Sequence, residues 1–134
     1  MATNVPPVRP AAREYREQVS HTLRKTVRFD DAGIAAGVAF GASLPAGALI
    51  TGTVVLVETA FSAGATLLVG SAAGGNDLVA AADSAATAAG VKRPDTATLK
   101  GRLAADTPVF VTVGGGPAAG VATIVLHYTP NNDA

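Results

Sequence analysis

The chain has 134 residues, ten basic and ten acidic, for a formal net charge of zero, and it contains neither cysteine nor tryptophan. That length predicts one domain with enough interior for a core that needs no metal or cross-link. The charge balance argues against a whole-surface nucleic-acid binder, the missing cysteines exclude disulfides and thiolate metal sites, and no apolar run is long enough to span a bilayer without turn residues.

Charge is nonetheless uneven along the chain. Residues 1–28 carry six basic residues against two acidic ones, a balance of +4, and residues 29–134 carry four against eight, a balance of −4. Pro6, Pro7 and Pro10 keep the first ten residues extended and unable to join a helix or a central strand. The segment AAREYREQVS at 11–20 could form a helix, but one so short is marginal without a partner to pack on. Residues 1–20 are therefore read as an extended basic arm and residues 21–134 as the folded domain. The opening MATNVPPVRPAAREYR has no apolar centre of the kind a secretory signal needs, so synthesis in a cytoplasm is expected.

In HTLRKTVRFD, Leu23, Lys25, Val27 and Phe29 share one face and Thr22, Arg24, Thr26 and Arg28 the other, the period of a strand. DDAG at 30–33 supplies a turn, GVAF at 37–40 a short strand, and LPAG at 44–47 another turn. ALITGTVVLVET then reads as a strand rich in β-branched residues, with Thr51, Thr53, Val55, Val57 and Thr59 opposite Ile50, Gly52, Val54, Leu56 and Glu58. SAG at 62–64 turns the chain into ATLLVG, and GGND at 74–77 turns it into LVAAAD, both read as strands. Residues 84–94 fit a loop or a single helical turn, ended by Gly90 and Pro94. TATLKGRL, TPVFVTV and GVATIVLHYTP read as three further strands, with LAAD and GGGPAAG as the turns between them. Seven to nine short strands at this spacing predict an all-β protein: a single antiparallel β-sandwich, jelly-roll-like, with an extended N-terminal arm.

Candidates for chemistry are sparse. The histidines are His21 and His127. His127 falls on a strand face, where a packed or surface ring is the commoner role than a base. The acidic pair Asp30–Asp31 reads as a polar turn rather than a calcium loop, because further oxygen ligands are not in view. The glycine clusters lack the lysine and the strand–turn–helix context of a phosphate loop. Asp83, Asp95 and Asp106 lie beside turns, where Asp caps backbone amides. Glu58 either sits at the wet end of its strand or meets a basic residue from another subunit. No catalytic residue, no metal site and no cofactor is assigned. The partner-binding candidates are Arg9, Arg13, Tyr15, Arg16, Arg24, Lys25 and Arg28. They lack the aromatic interleaving of a single-strand binder, and Glu14 and Glu17 would repel phosphates, so an acidic protein neighbour is expected and not a nucleic acid.

The stretches VRFDDAGIAAGVAFG, LPAGALITGTVVLVETAFSAGATLLVG, LVAAAD, LAADTPVFVTV and GVATIVLHYTP occur in this order. Together they resemble a family of small structural proteins of tailed bacteriophages, over about Thr22 to Pro130. The LPAG-led strand and ETAFSAGAT are the most specific pieces. The resemblance implies a β-rich virion protein without catalytic residues, most often a capsid decoration (cement) protein on the outer surface of the head. Its implied partners are the major capsid protein and further copies of itself, a trimer among the options, with no membrane. Where the family tends to carry a Thr-rich loop before the last strand, this chain has Gly114, Gly115, Gly116 and Pro117, and a looser loop is expected. The rival readings are a low-copy head-fibre, neck or tail component, a surface- or carbohydrate-binding sandwich, and a small hydrolase using His127 and Asp106. The absence of Trp disfavours the sugar binder.

Overall fold

The structure, a computed structural model, describes residues 20–94 and 102–130. The expected arm lies outside this range apart from Ser20, as does most of the strand expected at TATLKGRL. Seven strands are present among the described residues: β1 His21–Arg28, β2 Val38–Leu44, β3 Leu49–Thr59, β4 Thr66–Gly70, β5 Gly90–Lys92, β6 Thr107–Gly114 and β7 Val121–Thr129, with one short helix, α1 Ala81–Ser84, before β5. They form two antiparallel sheets, one in the order β1-β7-β3-β5 and one in the order β2-β6-β4. The fold is the expected β-sandwich.

Alternation builds the core. On β7, Ala122, Ile124 and Leu126 are fully buried, and they lie opposite Val57, Val55 and Thr53 of β3. On the facing sheet, Val109, Val111 and Val113 of β6 and Leu67 and Val69 of β4 point inward and are buried. Antiparallel strands with one face on a core have this period-two signature, and Val and Ile suit it because their branched side chains pack well on a pleated surface.

Four local expectations are corrected. β3 does not alternate evenly, because its register against β7 shifts between Ile50 and Gly52 and again between Val57 and Thr59. Thr51 and Glu58 are therefore the extra residues of two β-bulges, and a bulge flips the phase beyond it. Ile50 pairs with the inward Tyr128 and packs on the core, whereas the sequence phase set it with Val54 and Leu56. β2 runs past Phe40 to Leu44 through an irregular register between Ala39 and Ser43. LVAAAD is not a strand: Val79 makes only an isolated bridge to Val69, and the chain then turns into α1. That helix holds because the Ser84 hydroxyl, fully buried, donates to the Leu67 carbonyl at 2.9 Å, and it ends at Ala85 with a left-handed φ of 44°. Residues 84–94 include a strand, β5, which takes its place by pairing Val55, Leu56 and Val57 with Lys92, Val91 and Gly90.

The glycine loop before β7 is tied down rather than loose. Ala118 N donates to Ser62 Oγ at 2.8 Å and Ser62 N to Ala119 O at 3.3 Å. Gly115, at φ 86°, packs so closely on residues 64–65 that a Cβ there would lie 2.3 Å from Gly64 O.

Candidate interaction surface

The two outer faces of the sandwich differ. Over the three-stranded sheet, the loop 71–77 folds down: Gly74 N donates to the buried Thr112 Oγ1 at 2.9 Å, and Ala73 packs on Gly37. Asp77 fixes that loop by accepting from Ser71 N at 2.8 Å and Ser71 Oγ at 2.5 Å. Over the four-stranded sheet, residues 93–94 approach one end of the outer face, where Arg93 and Pro94 line a recess with Thr51, Gly52, Val54 and His127. Its outward residues on β3 and β7 include Val54, Leu56, Val121 and Val125, all half-buried, beside Val91 of β5 at 51% exposure and Leu49 at 40%. An antiparallel sheet facing only water would carry polar residues there.

A polar row runs across this face between the apolar residues, because Thr123 lies between Val121 and Val125 on β7 and opposite Leu56 of β3. Thr26 and Thr123 share a hydroxyl hydrogen bond of 2.9 Å, and Thr123 Oγ1 donates to Glu58 Oε2 at 3.2 Å, so one chain of side chains crosses β1, β7 and β3. Glu58 is exposed and stands on the bulge at the end of its strand, in line with the wet-end reading. Apolar side chains exposed beside polar ones on one sheet face make it a candidate contact surface.

Of the partner-binding candidates, Arg9, Arg13, Tyr15 and Arg16 lie outside the described residues. The other three are on β1 but do not share a face. Arg24 and Arg28 pair with Val125 and Val121 and are exposed on the outer side, whereas Lys25 pairs with the buried Ile124 on the inner side. Arg28 Nε reaches Asp30 Oδ1 at 3.4 Å, an exposed pair of small energetic weight. Asp31 and Asp106 hold turns, as their place in the sequence leads one to expect. Asp31 Oδ2 accepts from Arg28 N at 2.9 Å, and Asp106 Oδ1 accepts from Ala46 N at 2.8 Å, both as turn caps. The Asp30–Asp31 pair is thus a structural turn, and no cluster of three metal-ligating side chains occurs among the described residues.

His127 opens on a shallow recess of about 450 Å³ lined by Thr51, Gly52, Thr53, Val54, Arg93, Pro94 and itself. Asp106, its partner in the hydrolase reading, is not part of that lining. The other histidine, His21, stacks on Tyr128 with ring centroids 5.7 Å apart.

No protein-family model and no curated protein matches the sequence. A solved structure does match, the "Cyanophage Pam1 capsid asymmetric unit", at 22% identity and a TM-score of 0.64, over 96% of this chain and 98% of that one. The two chains share a fold. Coverage that complete on both sides also makes them nearly equal in length.

Proposed function

We propose that this protein is a structural component of a tailed-phage virion, and more narrowly a decoration protein that binds the outer surface of the head. The observation that carries the reading is the whole-chain fold likeness to a chain of similar length described as part of a capsid asymmetric unit. A chain of an asymmetric unit repeats with the symmetry of its shell, which favours decoration over a neck, tail or fibre component present in few copies. The reading assigns the chain no reaction and no cofactor. A sandwich that exposes apolar side chains on one sheet face among the described residues suits a role in bridging neighbours, and many weak contacts repeated over a particle add to an attachment no single copy would give. The major capsid protein and further copies of this chain are the partners in this reading, with the basic arm supplying reach.

Deleting residues 1–20 is expected to leave the sandwich folded, since β1 starts at His21 and pairs along its whole length with β7. The urea midpoint should stay nearly unchanged while affinity for heads stripped of this protein falls by about tenfold or more, ~1.4 kcal/mol per tenfold. Undiminished affinity of the truncated chain would refute the role of the arm. Failure of the full-length chain to bind heads at all would refute decoration.

A further inference from the structure

The four sheet edges are closed to different degrees. β5 is three residues long. β4 is covered by residues 78–84: Val69 N donates to Val79 O, Val69 O accepts from Leu78 N and Val79 N, and Leu67 O accepts from Ser84 Oγ. β2 is broken by its irregular register. β1 differs from all three, with eight residues, no register shift, no proline and no strand on its far side among the described residues. Such an edge is a template for another strand.

Its free groups can be identified. Phe29 N donates across to Gly120 O at 3.0 Å, so odd-numbered residues of this segment turn their backbone groups toward β7 and even-numbered ones turn them away. Arg28 obeys the rule: its N–H goes to Asp31 Oδ2 and its carbonyl accepts from Asp31 N at 3.2 Å. The turn at 30–31 therefore caps the edge at Arg28. The N–H and C=O groups of Thr22, Arg24 and Thr26 face outward with no partner among the described residues.

Charge selects what can add there. A second copy pairing antiparallel to itself would set like charges opposite one another. Registers centred on residues 24, 25 and 26 place Arg24 against Arg24, Lys25 against Lys25, and Arg24 against Arg28, and directly opposed like charges destabilise a strand pair. Arg24 is exposed and makes no ion pair among the described residues. A strand with carboxylates on alternate residues would place one opposite Arg24 while its backbone satisfies the six free groups.

We propose that the free edge of β1, from Thr22 to Thr26, is a strand-addition site for an extended acidic segment of a partner polypeptide. The inference rests on the edge, its parity and its charge, and does not depend on the partner being a shell protein.

The test is amide hydrogen exchange on the full chain, with two synthetic peptides of alternating Thr–Glu and alternating Thr–Lys as probes. The Thr–Glu peptide should slow exchange at Thr22, Arg24 and Thr26 by roughly tenfold or more, leave the β7 amides unchanged, and lose its effect as salt rises. The exposed substitution Arg24→Glu should abolish that protection and transfer it to the Thr–Lys peptide. Protection by both peptides alike, protection by neither, or full protection of the three amides before any peptide is added would overturn the proposal.

Discussion

Gly120→Ala is expected to destabilise the domain by roughly 2–6 kcal/mol, combining about 1–3 for backbone strain and about 1–3 for overpacking. Gly120 sits immediately before β7 with φ at 142°, a conformation that L side chains rarely adopt. A Cβ there would lie 2.2 Å from Phe61 Cδ2 and 2.3 Å from Cγ, inside the ring of a buried aromatic that has little room to retreat. The same residue accepts the hydrogen bond from Phe29 N that continues the β1–β7 ladder, so a shift there propagates into the sheet. Domains hold only about 5–15 kcal/mol in all, so the variant should lose much of its folded population in mild urea. Gly33→Ala is the control. Its φ of 77° is also positive, but nothing lies within 4 Å of the added carbon. It should cost about 1 kcal/mol or a little more. Equal losses at the two sites would show that the contact with Phe61 contributes nothing.

Leu126→Ala is expected to cost about 2–5 kcal/mol, the range for removing a buried leucine from a core that closes only partly around the cavity. Leu126 is fully buried on the central strand β7, between Leu23 of β1 and Thr53 of β3. Its neighbour Val125 points to the other side of the same sheet, where it is half-buried. Val125→Ala should cost less than about 1 kcal/mol in the isolated chain. Urea unfolding of the two variants measures the sidedness of the sheet. A Val125→Ala loss as large as that of Leu126→Ala would mean that the outer face is covered within the isolated chain, which would remove it as an interface.

The strands of this sandwich were legible where alternation ran unbroken, as in HTLRKTVR and VATIVLHYT. They were misread where the backbone departs from alternation. A bulge leaves no mark on composition, so the extra residue at Thr51 turned Ile50 to the core unannounced. β5 is only three residues long, below the length at which any period can be counted, and it is a strand because β3 offers an open side. LVAAAD has the apolar run of a strand, but Ser84 spends its hydroxyl on Leu67 and holds the segment as a helical turn against β4. At the candidate surface, the sequence correctly placed Arg24 and Arg28 on one side of β1 and Lys25 on the other. It could not show that β1 is an edge strand, because strand order is set by which inner faces meet in three dimensions. The turn roles of Asp31, Asp77 and Asp106 were legible from their neighbours, but not that Asp106 caps Ala46, 60 residues away in the chain.

The central claim is that many copies of this chain coat a phage head, and the direct measurement is its copy number per particle by quantitative mass spectrometry of purified virions. The account predicts a copy number comparable to that of the protein forming the shell. A handful of copies would contradict decoration and move the chain to a unique vertex, the neck or the tail, and its absence from the particle would contradict the virion reading itself.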